Sequence, residues 1–590
     1  MKYRSTAKWD SVENSKNLLY FAQLVDELLF DFSLDTYKPS AMNASLLCRE
    51  AWETISEIND GNIKAPNLQH ILDELCVNLS KDIVARSLIR VDTDVIFSVL
   101  KNPKEDVQEK RIIVEILGRQ LSLVKYKKKN EKLLTDTITD STTNFPIIRT
   151  LTRSYITTLV NIGFSAKYVY RVAKQFFFYG SNRIAGNSAI TDFLEAFSSD
   201  ANKFSVIYRG SNDFSSVASS CDKLNIRVSD ELSGVAADIS GFNFSLRQNE
   251  VYLIVSGISA KDRYVAHKMA ESTLELLGTL YTLFHHKEKL KFLEECIIID
   301  ETTGEAHGSK SHLNNMHKCV DLIPTKASSK LNAFIADFSL ESLSFKKFTR
   351  SAELHSLALA SDSSENQMIN LWIALESIIP AKSDSANKSS IVHIIDSITP
   401  FLGLVYIDRL VGRFAKDLIN WNRRAVFQKL NGIKGKGLAQ KLVKLLALPE
   451  YKASRDALST ELGSFHLLAD RYEYFSEVFS SPRNVAKMLD NHNKRVAWQI
   501  RRIYRARNLI VHSGKTPSYT NILIENAHDY LDIVMGSLMK LATKPKEIMS
   551  IEQGFKYADL SYRSIYKSLS KKGAVFTDEN INRMIEKSVI

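Results

Sequence analysis

The spacing of hydrophobic residues changes twice along the chain, and each change predicts a change of secondary structure. Up to about residue 200, stretches such as LLYFAQLVDELLF (18–30) and RIIVEILGRQLSLV (111–124) place apolar residues three and four positions apart, as amphipathic helices do. A lysine-rich and then polar stretch, 125–144, has the composition of an exposed connection. We therefore predict a helical domain over 1–140 and a helical connector over 141–200.

Short β-branched segments replace the helical spacing between residues 203 and 260. KFSVIYRG, KLNIRVSDEL and NEVYLIVSG are separated by Ser, Asn and Gly, which is typical of strands joined by turns. The stretch AKDRYVAHKMAESTLELLGTLYTLFHH then predicts a long helix, and LEECIIID and HKCVDLIPT are candidates for further strands. Residues 201–340 are therefore predicted to form an α+β module.

Helical spacing returns beyond residue 340 and continues almost to the end of the chain. Residues 341–545 are predicted to form a helical bundle, and residues 546–590 a small helical tail. A chain of 590 residues has room for about three or four domains, because single hydrophobic cores stop growing at roughly 250–300 residues. The predicted fold class is thus mainly α and multi-domain, with a central α+β module.

Composition narrows the class of protein without identifying it. A net charge of +11, with 44% hydrophobic and 25% charged residues, describes a globular protein that favours anionic partners. The five cysteines are scattered and lack CxxC spacing, so a reducing cytoplasm is expected. No stretch approaches the roughly 20 uninterrupted apolar residues that span a bilayer, and a soluble, cytoplasmic protein is predicted.

One segment has metal-ligand chemistry but lacks metal-ligand spacing. HGSKSHLNNMHKC contains His307, His312, His317 and Cys319. A spacing of five between histidines matches neither an i, i+4 pair on a helix nor a zinc-finger pattern. A surface loop is the preferred interpretation, and we predict no metal and no cofactor.

The most unusual feature is a basic segment over residues 491–515 that contains no Asp or Glu. It ends in RARNLIVHSGK, where Gly514, followed by Pro517, predicts that a helix ends close to His512. Arg507 and His512 are five residues apart, so on an ideal helix they point about 140° away from each other. Either the histidine leaves the helical path, or the two side chains meet across a two-fold dimer.

Glu376 is a second candidate, because its neighbours on a predicted helix are apolar. Ile369, Trp372, Ile373 and Ile379 lie at helical offsets from it, in a helix expected to begin near Asp362. Burying an unpaired carboxylate either costs roughly several kcal/mol or shifts the pKa of the group. A cationic partner on the basic helix is therefore predicted. Such a pair could equally serve only to fix the packing of the two helices.

The basic helix and the Trp-containing helix together resemble a known family. WQIRRIYRARNLIVHSG with LWIALESIIP is similar to the Apea-like branch of the HEPN superfamily, whose signature is Arg, four to six residues, then His. The matching positions here are Arg507, the polar residue Asn508 after it, and His512. The resemblance covers roughly residues 340–545, and the first 340 residues are not part of it.

The resemblance implies metal-independent cleavage of RNA at a composite site where two HEPN domains face each other as a homodimer. It also implies a toxin-like role in bacterial abortive defence against phage, in which cleavage of tRNA or other host RNA halts growth. The N-terminal region would then sense a trigger or restrain the nuclease.

The residue types fit this chemistry. A histidine can accept or donate a proton near neutral pH, and an arginine fork matches phosphate oxygens. The predicted catalytic set is therefore Arg507, Asn508, His512 and Glu376, and the residues predicted to hold the RNA backbone are Arg501, Arg502, Arg505 and Lys515.

Two simpler interpretations stand beside the nuclease. A histidine near a helix end is commonly a surface residue that interacts favourably with the helix dipole. The alternative function is a non-catalytic RNA-binding or scaffold protein of a multi-protein complex.

Overall fold

The computed structural model is mainly helical, with 68% helix, 7% strand and one small antiparallel sheet. The predicted class is therefore confirmed at this level, while the assignment of the C-terminal helices to a HEPN-like bundle stays a prediction. The structure describes residues 1–30, 42–61, 65–197, 200–232, 239, 241–310, 316, 322–382, 389–463, 465–543 and 546–585.

The first 200 residues form helices whose starts carry capping side chains, such as Asn43, Asp82 and Ser165. The lysine-rich stretch predicted as part of a connection lies within an amphipathic helix, α7, and only residues 140–144 connect it to the next helix. The helices are α1 (Lys16–Leu28), α2 (Ala44–Asn59), α3 (Pro66–Leu79), α4 (Ile83–Leu88), α5 (Thr93–Leu100), α6 (Val107–Gln120), α7 (Leu123–Thr139), α8 (Phe145–Asn161), α9 (Ala166–Lys174) and α10 (Ile190–Glu195).

The central module is an antiparallel sheet in the order β2-β3-β1-β4-β5. Helix α12 packs against one face of the sheet. The segment that contains Phe242, Phe244 and Leu246 packs against the other face. Four strands form where they were predicted, but the fifth lies at Ala306–Ser309, ahead of the predicted HKCVDLIPT segment, in which Pro324 begins a helix. The elements are β1 (Asn202–Ser211), α11 (Ala218–Asp222), β2 (Ile226–Ser229), β3 (Glu250–Ala260), α12 (Arg263–Thr282), β4 (Phe292–Asp300) and β5 (Ala306–Ser309).

The remaining chain is helical again and includes two very long helices, α16 and α20. The helices are α13 (Pro324–Asp337), α14 (Ser342–Ala360), α15 (Ser364–Ile378), α16 (Ser390–Leu430), α17 (Leu438–Ala447), α18 (Lys452–Glu461), α19 (His466–Val478), α20 (Pro482–Asn508), α21 (Thr520–Ala542), α22 (Ile551–Ser570) and α23 (Asp578–Ile585).

These two long helices each contribute to two hydrophobic cores. The first core joins the N-terminal helices to the second half of α16 and the first half of α20, and the second core contains the other halves with α14, α15 and α21. Leu489 of α20, for example, lies in the first core and Ile500 in the second. The predicted division at residue 340 is therefore not the division between the cores, because the C-terminal helices complete the N-terminal core.

Helix α16 is the one described helix that is long and apolar enough, by length and composition alone, to cross a membrane. Half of its most apolar window is buried inside the protein. The helix also bends at Asn422, whose backbone is not helical and whose side chain accepts a hydrogen bond from Ala425 N. Its apolar character is therefore accounted for by the two cores that it joins.

Candidate functional site

The C-terminal end of α20 carries the Arg-to-His motif, and its backbone departs from the α-helix there. The helix starts at the cap Ser481 and continues beyond Asn508 as a π-helical turn, Leu509–Ser513. It stops at Gly514, whose φ of +61° lies in the left-handed region that glycine adopts without strain. The predicted helix end close to His512 is thus confirmed, although the turn that forms it is a π turn, a feature often found at functional sites.

His512 lies within this turn with an exposed side chain. It has no hydrogen-bond or ion-pair partner among the residues that the structure describes. A π turn closes hydrogen bonds between residues five apart, so the angle of about 140° expected between Arg507 and His512 on an ideal α-helix does not apply across it. The imidazole is therefore open to solvent and available to a ligand or a second chain.

Arg507 is the half-buried cation of the motif. Its guanidinium donates a hydrogen bond of 3.0 Å to the side-chain oxygen of Asn508, and its buried Nε has no hydrogen-bond partner in the described part of the chain. No carboxylate among the described residues lies within salt-bridge distance of it. Asn508 thus orients the guanidinium, and no described carboxylate offsets its charge.

Two of the cations predicted to hold RNA are instead buried and neutralised. The guanidinium of Arg502 is fully buried and lies 3.1 Å from Glu50 and 2.6 Å from Glu74. Arg505 lies 2.6 Å from the same Glu50. An RNA phosphate cannot reach these groups without displacing the carboxylates, so the prediction that Arg502 and Arg505 bind RNA is wrong. We call the four side chains Glu50, Glu74, Arg502 and Arg505 the buried ionic junction.

The junction shifts the pKa values of its two acids in opposite directions. Burial alone would raise the pKa of Glu50, but the two adjacent guanidiniums outweigh it and lower the pKa to about 2. Glu74 faces one guanidinium, and burial raises its pKa above the ordinary value. Since Glu50 pairs with both arginines, we infer that Glu50 is the carboxylate of the junction that is charged in the folded protein.

Arg501 and Lys515, the other two predicted RNA contacts, remain accessible in part. Arg501 is half-buried, and burial followed by repulsion from Arg505 lowers its pKa. Lys515 is exposed but lies 2.7 Å from Glu57, and this hydrogen bond raises the pKa of its ammonium. A role for these two residues in RNA binding stays a prediction.

The loop after the motif is held from two sides. Ser513 and Lys515 contact Glu57 of α2 at 3.4 and 2.7 Å, and Thr516 donates a hydrogen bond of 2.7 Å to Glu365 of α15. A cavity of about 580 Å³ opens between α2 and the end of α20, lined by Glu57, Arg505 and Lys515 among others. The N-terminal region therefore contacts the segment on both sides of His512.

Glu376 does not occupy the position predicted for it. Its carboxylate is exposed, and it has no salt bridge to α20 or to any other described residue. The buried stripe of α15 is Met368, Leu371, Trp372, Leu375 and Ile378. Glu376 lies beside this stripe rather than in it, so the predicted buried pair with the basic helix is wrong. The helix cap also differs, because the side chain of Ser363, not Asp362, accepts the hydrogen bond from Asn366 N.

The acids that the basic segment requires lie far away in the sequence, on α2 and α3. Glu50 and Glu57 are seven residues apart, and both are buried on the face of α2 that carries Leu47 and Ala51. Two carboxylates in an apolar helical stripe indicate in the sequence that cationic partners are needed. No local pattern, however, shows that these partners lie between residues 502 and 515. The His307 segment can be placed only in part: His307 lies in β5, and His312, His317 and Cys319 lie outside the described residues.

Comparison of the chain with protein-family models, with curated proteins and with solved structures finds no match in any of the three.

Proposed function

We propose that this protein is a metal-independent endoribonuclease of the HEPN type, with its reactive groups at the end of α20. The observation that carries the proposal is the exposed His512 in a π turn, a few residues after Arg507, which no described carboxylate neutralises. The resemblance of RARNLIVHSG and LWIALESIIP to the Apea-like branch supports it.

The proposed reaction uses the ribose 2′-hydroxyl as the nucleophile. His512 accepts or donates a proton, Arg507 stabilises the negative charge that develops on the phosphate, and the amide of Asn508 positions that guanidinium. The products are a 2′,3′-cyclic phosphate and a 5′-hydroxyl. One reaction needs both a base and an acid, so a homodimer that brings two copies of the motif together completes the site.

The buried ionic junction limits how the RNA is held. With Arg502 and Arg505 neutralised, the cations left for the RNA backbone near the motif are Arg501, Arg507 and Lys515. Each neutralised phosphate contributes about 0.9 to the salt slope of binding to a duplex and about 0.7 for a single strand. We therefore expect a weaker salt dependence than the sequence of the segment suggests.

The position of the N-terminal region supports a controlling role for it. Its helices contribute Glu57, which contacts Ser513 and Lys515 directly beside His512. In this proposal the enzyme acts in the cytoplasm in abortive defence against phage, and a phage-derived trigger releases the restraint before tRNA or other host RNA is cut.

The alternative is a scaffold or RNA-binding protein without chemistry. One observation favours it: the buried ionic junction accounts for two of the arginines without any nucleic acid. In that case His512 and Arg507 would be exposed residues of a packing helix.

The test compares RNA cutting by the wild type with that of His512→Ala and Arg507→Ala. Total RNA is incubated with each protein in EDTA, and RNA ends are sequenced from cells after induction, where a cellular trigger is present. The proposal expects cyclic-phosphate and 5′-hydroxyl ends that disappear in both variants but persist in the control His286→Ala. A requirement for magnesium, or equal cutting by the variants, would refute it, and RNA retention without cutting would favour the alternative.

A further inference from the structure

Three side chains from two helices converge at a place that the proposed nuclease chemistry does not use. His355 lies on α14, and His528 and Asp532 lie four residues apart on one face of α21. One potential ligand atom from each lies within 4.8 Å of the other two. Two imidazoles and a carboxylate form a donor set that divalent transition metals favour.

The two histidines approach the carboxylate of Asp532 at distances longer than most hydrogen bonds and close to those between the ligands of one metal ion. His355 Nε2 is 3.4 Å from one oxygen of Asp532, and His528 Nε2 is 3.6 Å from the other. An N–H···O hydrogen bond is shorter, roughly 2.7–3.2 Å. Zinc bonds of roughly 2.0–2.2 Å at tetrahedral angles place neighbouring ligand atoms roughly 3.3–3.6 Å apart. The two nitrogen-to-oxygen distances lie close to that spacing, and all three ligand atoms lie within 4.8 Å of one another, so a small movement of the side chains would place them around one ion.

The surroundings hold the ligands in place and leave one side open. The two imidazole rings pack with their centroids 4.9 Å apart. Ser351 and Met535, on the same two helices, are in contact at 3.7 Å, so α14 and α21 already lie together without a metal. Side-chain exposure rises from 6% at His528 to 22% at His355 and 37% at Asp532, which gives an ion a route from solvent.

We propose that His355, His528 and Asp532 bind a divalent transition metal ion, with Zn²⁺ the best match to the donor set. The ligands are Nε2 of each histidine and the carboxylate of Asp532, whose two oxygens each lie near one histidine, and water takes the remaining position on the exposed side. The ion cross-links α14 to α21, the helix that follows the motif loop. This proposal does not depend on the nuclease, and sequence spacing could not find it, because His355 lies far from His528 and Asp532 in the chain.

The experiment measures zinc binding by the full-length chain in the absence of RNA. The protein is freed of metal by chelation and dialysis, and Zn²⁺ uptake is followed by calorimetry, with Co²⁺ as a spectroscopic probe of tetrahedral coordination. We expect one equivalent per chain, a melting temperature that rises with Zn²⁺ concentration, and a visible Co²⁺ band. His355→Ala and Asp532→Asn should weaken binding more than about tenfold.

The controls separate this site from adventitious binding and from misfolding. Asp529→Asn removes a neighbouring carboxylate of α21 that pairs with Arg409 at 2.9 Å, and His286→Ala removes an exposed histidine elsewhere. Both controls should bind Zn²⁺ as the wild type does. The two ligand variants change partly exposed side chains and are expected to stay folded, as judged by circular dichroism. Absence of one tight equivalent in the wild type, or equal binding by folded ligand variants, would overturn the proposal.

Discussion

The C-terminal part of α20 contains two basic regions that look alike in the sequence but differ in burial and in their partners. In the buried ionic junction, Arg502 and Arg505 face the carboxylates Glu50 and Glu74 from the N-terminal helices. A few residues later, Arg507 has no described carboxylate partner and His512 is exposed to solvent. A run of cations therefore does not identify a binding surface, because acids from distant segments decide which cations remain unpaired.

The two regions also differ in what their charges contribute to folding. Moving a buried ion pair out of water costs about as much as the attraction returns, so the junction adds little net stability. Removing one partner is different, since it leaves the other charge buried without compensation. The junction therefore fixes how the N-terminal helices sit on α20, whereas His512 at the exposed end has no described partner.

The largest expected effect comes from breaking the junction. Arg502→Leu leaves Glu50 and Glu74 buried with one guanidinium fewer, and we expect a loss of about 3–5 kcal/mol in the free energy of unfolding. Urea unfolding followed by circular dichroism measures it. The matched control is Arg501→Leu, the adjacent half-buried arginine without a described salt bridge, which should lose much less. Similar losses in both variants would mean that the carboxylates do not need Arg502.

A second prediction uses a buried histidine on the same helix. His492 packs against Tyr406 with a ring-centroid distance of 3.7 Å. Burial, and then repulsion from Arg495 and Arg409, lowers its pKa from 6.5 to about 3. Because the folded-state pKa is depressed, the stability contributed by neutral His492 is present above pH 6.5 and is lost as the pH falls from 6.5 toward 3.

His492→Phe keeps the stacked ring but cannot take up a proton. Between pH 6 and pH 4 the wild type should lose about 1.4 kcal/mol per pH unit more than the variant, which corresponds to one proton. Urea midpoints at several pH values give this slope. Burial also lowers the pKa of His466, so part of the acid sensitivity should remain. Identical slopes would show that His492 titrates equally in the folded and unfolded chains.

The sequence predicted those parts of the fold that depend on local spacing. Helices with apolar stripes and strands such as KFSVIYRG were found because burial of one face leaves a period in the sequence. The lysine-rich stretch of α7 was wrongly predicted as a connection, since a helix can expose lysines on one face while it buries Tyr126 and Leu134 on the other. The shared core could not be predicted, because no local pattern tells that α16 and α20 each pass through two cores.

For the candidate site, too, local features could be predicted from the sequence, whereas tertiary partners could not. The helix end at Gly514 and the exposure of His512 follow from local chemistry, and the structure has both. The partners of the cations depend on tertiary contacts, which is why Arg502 and Arg505 were assigned to RNA. The apolar neighbours Ile369 and Ile373 predict a buried position for Glu376, whereas both isoleucines are only half-buried.

A third, smaller effect is expected at the contact between the two regions. Glu57→Gln removes the carboxylate that Ser513 and Lys515 contact, and the loop should open more often. Amide hydrogen exchange over residues 513–516 should become faster while the urea midpoint moves less than in Arg502→Leu. Thr516→Val, which removes the hydrogen bond to Glu365, tests the other attachment. Unchanged exchange in both variants would mean that the loop is held by its backbone alone.

The smallest effect on folding is expected from substitution of His512 at the exposed end. This substitution distinguishes the exposed end most clearly from the buried ionic junction. His512→Ala removes a side chain without described partners, so the urea midpoint should not move. If the proposed chemistry is right, the same variant loses about 10²–10⁴-fold in RNA cleavage, the contribution of a positioned proton donor or acceptor. If His512→Ala instead lowered stability and left cleavage unchanged, His512 would have a structural role like that of Arg502. His512→Gln serves as the companion variant, since it keeps a polar group of similar length but cannot exchange protons near neutral pH, and cleavage that survives in it would assign His512 a structural part.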